Sequence, residues 1–253
     1  MSAGIRAGAS NDGYLQVNGI DVLRFDSAGI SGQGATQLGN LLAVQVFGTA
    51  GAFTYTPNPL AKSAVARAVG GGGAGGGAPA TAAGQVSVGG GGGSGGYAEH
   101  RFTVTGPVSG VIGAGGAGVS GAAGSVGTAT TLGAFLTAGG GGAGGTFLGT
   151  GLSVGTPGAG GSGNVGNIAN VTGNSGQSGW GATPTPGLIY PGGGGASVFG
   201  GATSTAPSGG AALPGFNAAG RGSGGSGGGC LPSQAAQTGG SGSTGYLIIY
   251  EYA

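Results

Sequence analysis

Charged side chains are scarce in this sequence, which has six Lys or Arg and five Asp or Glu among its 253 residues. The basic residues are scattered, whereas a protein that neutralises nucleic-acid phosphates needs them clustered. Nucleic acid is therefore excluded as a partner. Low charge also argues against ordinary disorder, which combines high net charge with low hydrophobicity.

Residue types that carry catalysis and bind metals are equally scarce. Cys230 and His100 are the single cysteine and the single histidine, so the chain has no internal disulfide and too few ligands for a zinc site. Cys230 is interpreted as an incidental small residue and His100 as a structural one, although a Ser-His-Asp triad stays formally open. We expect no enzyme activity, no metal and no cofactor.

Long apolar runs are missing too. No stretch reaches the 18 consecutive apolar residues that predict a membrane-spanning helix. Residues 1–6 lack the apolar centre of a signal peptide. We therefore expect no membrane insertion and a protein that stays in the compartment where it is made.

Glycine is what the sequence has in excess, with 74 of 253 residues, about four times its ordinary share. Ordering so many glycines costs backbone entropy, and large side chains are too few to offset that cost by burial. Glycine and proline recur too often for helices of useful length. The principal tracts are residues 70–77, 89–96, 139–145, 192–195 and 222–229.

A bundle of polyglycine II helices would order these tracts. Each tract would form an extended left-handed helix with three residues per turn and a rise of about 3.1 Å per residue. Backbone amides would then bond between neighbouring helices, and Ala74, Ser94 and Ala143 would point outward. A flexible linker remains the alternative, whereas collagen is excluded because the tracts keep no Gly-X-Y register.

Strand patterns lie at both ends of the sequence. In residues 14–25, Asn18-Gly19 suits a type I′ turn that places Val17 opposite Ile20, Leu15 opposite Val22 and Gln16 opposite Asp21. A lone hairpin is marginal, and three copies around an axis would supply its partner surface. Further strands are predicted at residues 41–47, 53–56, 64–69 and 97–104, and at 246–252, which we expect to pair with earlier strands.

The predicted fold class is all-β and irregular. Residues 1–40 are predicted to form an N-terminal β-hairpin region. Residues 41–253 are predicted to form a glycine-rich β plus polyglycine II bundle domain closed by the C-terminal strand 246–252.

Aromatic side chains between the tracts are the best candidates for a binding site. They either cover the bundle surface or contact a partner. Rigid rings flanked by Gly, Ser and Asn provide a large contact area at low entropic cost, as in antibody loops. We predict binding by inserts 146–191 and 196–219, with Trp180 and Tyr190 foremost. The full candidate set is Phe147, Trp180, Tyr190, Phe199 and Phe216.

Several segments resemble bacteriophage tail fibre proteins. Residues 9–19 (ASNDGYLQVNG), 22–25 (VLRF) and 27–30 (SAGI) resemble the terminal repeats of these fibres. Residues 46–57 and 64–77 resemble the opening of their glycine-rich C-terminal domain, and GGYAE at 95–99 and GYLIIYEY at 245–252 resemble its middle and end. The chain is also similar in style to the polyglycine adhesins at T-even fibre tips.

The resemblance implies a homotrimer in the virion tail fibre, assembled in the cytoplasm of the bacterial host. Residues 1–40 would then serve trimerisation and attachment, and residues 41–253 would be the tip domain. Its partners would be other virion tail proteins and a host cell-surface receptor, either an outer-membrane protein or a saccharide. The runner-up hypothesis is a purely structural virion appendage, a fibre or head decoration that binds no receptor.

Two further classes are less favoured. An antifreeze-like or surface protein would need a flat face of regularly spaced small residues, which the bulky rings oppose. A saccharide-cleaving tail spike would need two carboxylates flanking the scissile bond. Three of the five carboxylates lie before residue 27 and one lies in the closing strand.

Overall fold

A computed structural model describes residues 3–7, 13–17, 20–26, 29–32, 41–183 and 187–253. Every regular element in these ranges is a β-strand, and every strand pair is antiparallel. The predicted all-β, irregular fold class is therefore confirmed. Among the described residues, no helix has the length and apolar character needed to span a membrane.

The N-terminal region contains a four-stranded meander with strand order β1-β2-β3-β4. The predicted pairs Val17–Ile20 and Gln16–Asp21 are confirmed. The prediction that Leu15 lies opposite Val22 is wrong, because the register shifts and Leu15 pairs with Leu23. The predicted turn at residues 18–19 lies outside the described residues. The four strands are Ala3–Ala7, Gly13–Val17, Ile20–Asp26 and Gly29–Gly32.

The first of two larger sheets contains the C-terminal strand. Its order is β16-β9-β7-β20-β5, and β20 lies between β5 and β7, which confirms that this strand pairs with earlier ones. Strand β20 thus joins two strands that precede the first glycine tract in the chain. The strands are β5 (Leu41–Phe47), β7 (Ser63–Val69), β9 (Tyr97–Thr103), β16 (Ala169–Val171) and β20 (Tyr246–Tyr252).

The second five-stranded sheet has the order β15-β12-β11-β10-β6. Its strands are β6 (Gly51–Tyr55), β10 (Val108–Ile112), β11 (Thr130–Leu132), β12 (Leu136–Ala138) and β15 (Gly163–Val165). The two sheets share one apolar core, to which Phe102 and Leu247 come from the first sheet and Tyr55, Leu132 and Leu136 from the second. We call this pair of sheets the sandwich.

A buried carboxylate fastens the C-terminal strand to the rim of the sandwich. Glu251 is fully buried, and its Oε1 accepts hydrogen bonds from Gln45 Nε2 at 3.0 Å and from the backbone N–H of Asn58 at 3.2 Å. A buried carboxylate is tolerated when donors surround it. Burial and the neighbouring Glu251 also raise the pKa of Tyr55 above its ordinary value.

The glycine tracts form a polyglycine II bundle. In tract 70–77, successive N–H groups donate to three different neighbours in rotation, as a helix with three residues per turn requires. Gly70, Gly73 and Gly76 donate to tract 89–96; Gly71, Ala74 and Gly77 donate to residues 122–128; Gly72 and Gly75 donate to residues 240–243. The prediction of bonded tracts is confirmed over the linker alternative.

The central tracts have neighbours on all sides. Tract 89–96 donates to residues 222–228, 139–145 and 174–177, and it accepts from residues 70–76, 158–161 and 192–195. The prediction that Ala74 and Ser94 point outward is therefore wrong, since both are fully buried. The Ala74 methyl group occupies the space that a side chain at Gly124 would need, and Ser94 Oγ accepts a hydrogen bond from Asn174 N at 2.9 Å.

Peripheral tracts use glycine at every third residue. In residues 155–162, Gly155, Gly158 and Gly161 are buried against the bundle, whereas Thr156, Ala159 and Ser162 are exposed. A three-residue turn brings residues i and i+3 to the same side of the helix. The number of side chains in a tract thus depends on whether the tract lies at the centre or at the surface of the bundle.

A smaller apolar core lies at the other end of the bundle. We call this end of the molecule the cap. Two three-stranded sheets, β13-β8-β19 and β14-β17-β18, lie there. Val86, Val88, Ile189 and Leu231 form the core between them. The strands are β8 (Val86–Gly89), β13 (Thr146–Gly149), β14 (Ser153–Gly155), β17 (Gly179–Ala182), β18 (Leu188–Tyr190) and β19 (Gly229–Cys230).

The tracts connect the two ends directly. Tract 70–77 continues from β7 in the sandwich toward the cap, and tract 89–96 returns from β8 in the cap to β9 in the sandwich. Eight residues at about 3.1 Å each separate the ends by about 25 Å. The bundle therefore acts as a stiff spacer between the sandwich and the cap.

Candidate binding surface

An aromatic stripe crosses the outer face of the cap. Trp180 in β17 lies opposite Val154 on one side and Tyr190 on the other, and side chains of directly paired residues share one face of a sheet. The alternate residues Ser153 and Ile189 are fully buried on the inner face. The period of two along these short strands therefore directs Val154, Trp180 and Tyr190 outward.

The two rings of the stripe form a flat platform. The Trp180 and Tyr190 rings are 5.7 Å apart between centroids and inclined by only 4°. Trp180 is 40% exposed and Tyr190 is half-buried. Within the described residues, neither the indole N–H nor the Tyr190 hydroxyl bonds to another protein group, so both are available to a ligand. Such a pair presents a large apolar area with two polar handles.

Other exposed apolar side chains lie at the same end of the bundle. Phe147 is 44% exposed on β13, but it pairs directly with buried Val88 and therefore faces the inner side of the cap, not the outer face that carries Trp180. A concentration of exposed large apolar side chains is informative, whereas single ones are ordinary. We call the exposed outer face of the sheet β14-β17-β18 the cap surface; it comprises Leu152, Val154, Trp180, Leu188 and Tyr190.

The remaining two predicted site residues lie elsewhere. Phe199 is at the sandwich end, where its ring packs edge-to-face on Tyr97 at 6.0 Å and on Tyr246 at 5.7 Å. Phe216 lies on the flank of the bundle, beside a groove. The structure thus brings together Trp180 and Tyr190, places Phe147 on another face of the cap, and separates Phe199 and Phe216 from them. A binding role for any of the five stays a prediction.

Within the described residues from 41 onward, the charged side chains lie at the sandwich end. Arg67 Nε lies 3.0 Å from Glu99 Oε1 on the sandwich, and Arg221 donates to the Gly48 carbonyl at 2.8 Å. Burial and a hydrogen bond from Tyr97 to Glu99 raise the pKa of Tyr97. The cap surface carries no ionisable group apart from the Tyr190 hydroxyl. The sequence already indicates that this surface is uncharged, because no charged residue lies between Arg101 and Arg221.

His100 and Cys230 are both placed in structural surroundings. The His100 ring lies 5.9 Å from the Phe135 ring, and burial lowers its pKa. Cys230 is buried in the cap, where burial raises the pKa of its thiol. In the part of the chain that the structure describes, no three His, Cys, Asp or Glu side chains group together as metal ligands.

Comparison with known proteins identifies the glycine-rich region. Residues 48–252 match the family described as a glycine-rich domain. The match begins just after β5 and ends at the last residue of β20, so it includes the bundle, the cap and most of the sandwich. No curated protein matches the chain.

Proposed function

We propose that this chain, which belongs to the glycine-rich domain family, is the receptor-binding tip of a bacteriophage tail fibre. The observation that carries the proposal is the uncharged aromatic cap surface, held about 25 Å from the sheet that contains the C-terminal strand β20. Display of rigid aromatic anchors on a stiff scaffold is the arrangement of a recognition surface.

The chemistry of the cap surface specifies what it binds. Because no formal charge lies there, recognition depends on apolar contact and on neutral hydrogen bonds from the Trp180 indole and the Tyr190 hydroxyl. An outer-membrane protein loop or a saccharide on a bacterial surface supplies both. In this proposal the protein works as a homotrimer in the virion, joined through residues 1–40 to other tail proteins.

A binding experiment on cells tests the proposal. Fluorescently labelled protein is applied to a panel of Gram-negative bacterial strains and measured by flow cytometry. For a strain that the wild-type protein binds, Trp180→Ala combined with Tyr190→Ala should weaken binding at least about tenfold, because central aromatic anchors dominate interface energy. Leu60→Ala is the matched control, since Leu60 is an exposed apolar residue at the sandwich end.

Equal binding by the double variant and the wild-type protein would remove the cap surface from the proposal. If the wild-type protein binds no strain although it is present in virions, the result would favour a purely structural appendage instead.

A further inference from the structure

A groove of about 390 Å³ runs along the flank of the bundle, away from the cap surface. One wall is residues 201–204 and the other is residues 216–220. Among the described residues, no backbone hydrogen bond joins the two walls. The groove therefore interrupts a bundle in which neighbouring segments are otherwise bonded backbone to backbone.

Both walls are nevertheless fixed to the same central tract. Thr203 Oγ1 donates to the Gly224 carbonyl at 2.8 Å. On the opposite wall, Phe216 N donates to Ser226 Oγ at 2.7 Å and the Phe216 carbonyl accepts from Ser226 N at 3.1 Å. The groove is consequently preformed, and a ligand would not have to order its walls on binding.

The lining combines one aromatic ring with neutral polar groups. Phe216 is 53% exposed. Asn217 Oδ1 accepts from Ser241 N at 2.8 Å, which fixes the amide and leaves its NH₂ group to donate. Ser204 is exposed and adds a hydroxyl without a protein partner in the described part of the chain. No charged residue lines the groove.

From this chemistry we infer that the groove binds a neutral saccharide. A sugar ring has an apolar face of C–H groups that stacks on a phenyl ring, and hydroxyls that bond to amide and hydroxyl groups. Without a cation in the lining, a phosphate or carboxylate ligand has no counter-charge. A peptide side chain would find only one large apolar residue to pack against. The inference makes no assumption about the cap surface.

Saturation-transfer NMR on the full chain tests this site with defined probes. The probes are maltose, cellobiose, lactose and N,N′-diacetylchitobiose at millimolar concentration. At least one should receive saturation, with its ring C–H protons closest to the protein. Phe216→Ala should weaken that binding at least tenfold. Phe216→Leu is the control: it keeps apolar volume for packing, so that the effect of losing the aromatic ring can be distinguished from an effect of unfolding.

Two glycines offer a matched steric pair. A Cβ added at Gly201, on the groove wall, or at Gly210, outside it, meets no atom within 4 Å. Gly201→Leu should therefore fill the groove and abolish saccharide binding with the melting temperature unchanged, and Gly210→Leu should bind as the wild-type protein does.

Three results would overturn the inference: no saturation of any probe, binding unaffected by Gly201→Leu, or binding lost equally in Gly210→Leu. Saccharide binding that survives Trp180→Ala with Tyr190→Ala while cell binding is lost would show two independent sites. Failure of either proposal is thus distinguishable from failure of the other.

Discussion

At the scale of single residues, the fold depends on tract glycines, which have no Cβ atom. A Cβ added to most tract glycines would lie within 3.0 Å of a neighbouring carbonyl or amide, a separation that real Cβ atoms essentially never show. At those glycine positions the neighbouring backbones leave no room for any other residue. Glycine is required in the central tracts for space rather than for an unusual backbone angle, since no residue of tracts 70–77 or 89–96 has a positive φ.

Gly91→Ala tests that requirement. The added methyl group would collide with the backbone of Gly193 and Gly194, which cannot move without breaking bonds to further tracts. We expect the free energy of unfolding to fall by about 3 kcal/mol, the upper part of the range for overpacked cores, measured by denaturant unfolding.

Gly210→Ala is the control for the same chemical change in open space. It should alter the free energy of unfolding by less than about 0.5 kcal/mol, as exposed substitutions do. Equal effects of the two substitutions would show that backbone contact between tracts does not stabilise the fold.

At the scale of the element, the polyglycine II helix differs from a strand in the number of its neighbours. A strand bonds in two directions, whereas tract 89–96 bonds in six. A tract at the surface lacks some of these neighbours, and its free backbone groups recur with the period of the helix. In tract 139–145, the N–H groups of Gly140 and Ala143 have no partner in the described structure.

Amide exchange in this tract should therefore follow a period of three. Gly139, Gly141, Gly142, Gly144 and Gly145 donate to backbone carbonyls at 2.7–2.9 Å, so each should exchange at least about 100-fold more slowly than Gly140 and Ala143, because protected amides exchange only when the structure opens. Residue-resolved NMR exchange on ¹⁵N-labelled protein measures this.

Uniformly fast exchange along residues 139–145 would show that the tract is a linker. Uniformly slow exchange would mean that another segment covers the surface at Gly140 and Ala143.

At the scale of the whole molecule, two small apolar cores hold a bundle that has almost no side chains. The sandwich core and the cap core lie at opposite ends of the tracts. Because every tract ends in or near one of them, the cores set the register in which the tracts bond. The position of the cap surface therefore depends on the backbone hydrogen bonds of the tracts, which extend from the cap to the sheet that contains the C-terminal strand.

Removal of residues 246–253 should therefore unfold the entire glycine-rich domain. The sandwich would lose the strand between β5 and β7, together with buried Leu247, Ile249 and Glu251. We expect no cooperative transition in calorimetry and fast amide exchange in every tract. Removal of Ala253 alone, which lies beyond β20, should leave the transition intact. A cooperative transition in the longer truncation would show that the bundle folds without its closing strand.

The sequence alone determined the fold class and the longer strands. Patterns of β-branched and aromatic residues located β5, β7, β9 and β20, because strand preference is expressed within a few residues. Repeated glycine tracts predicted polyglycine II helices, because a backbone without side chains has few other ways to satisfy its amides. The turn predicted at residues 18–19 implied two of the observed pairs on either side of it. The register shift between Leu15 and Gln16 could not be predicted, because alternation of side chains does not reveal it.

The tertiary structure alone decided which tracts lie at the centre. Ala74 and Ser94 are buried because their tracts are surrounded on all sides, a fact of three-dimensional packing that a single tract does not encode. The same packing placed Trp180 beside Tyr190 on the cap, and it placed Phe199 and Phe216 elsewhere. Residues that are distant in the chain become neighbours only when helices of similar length align side by side.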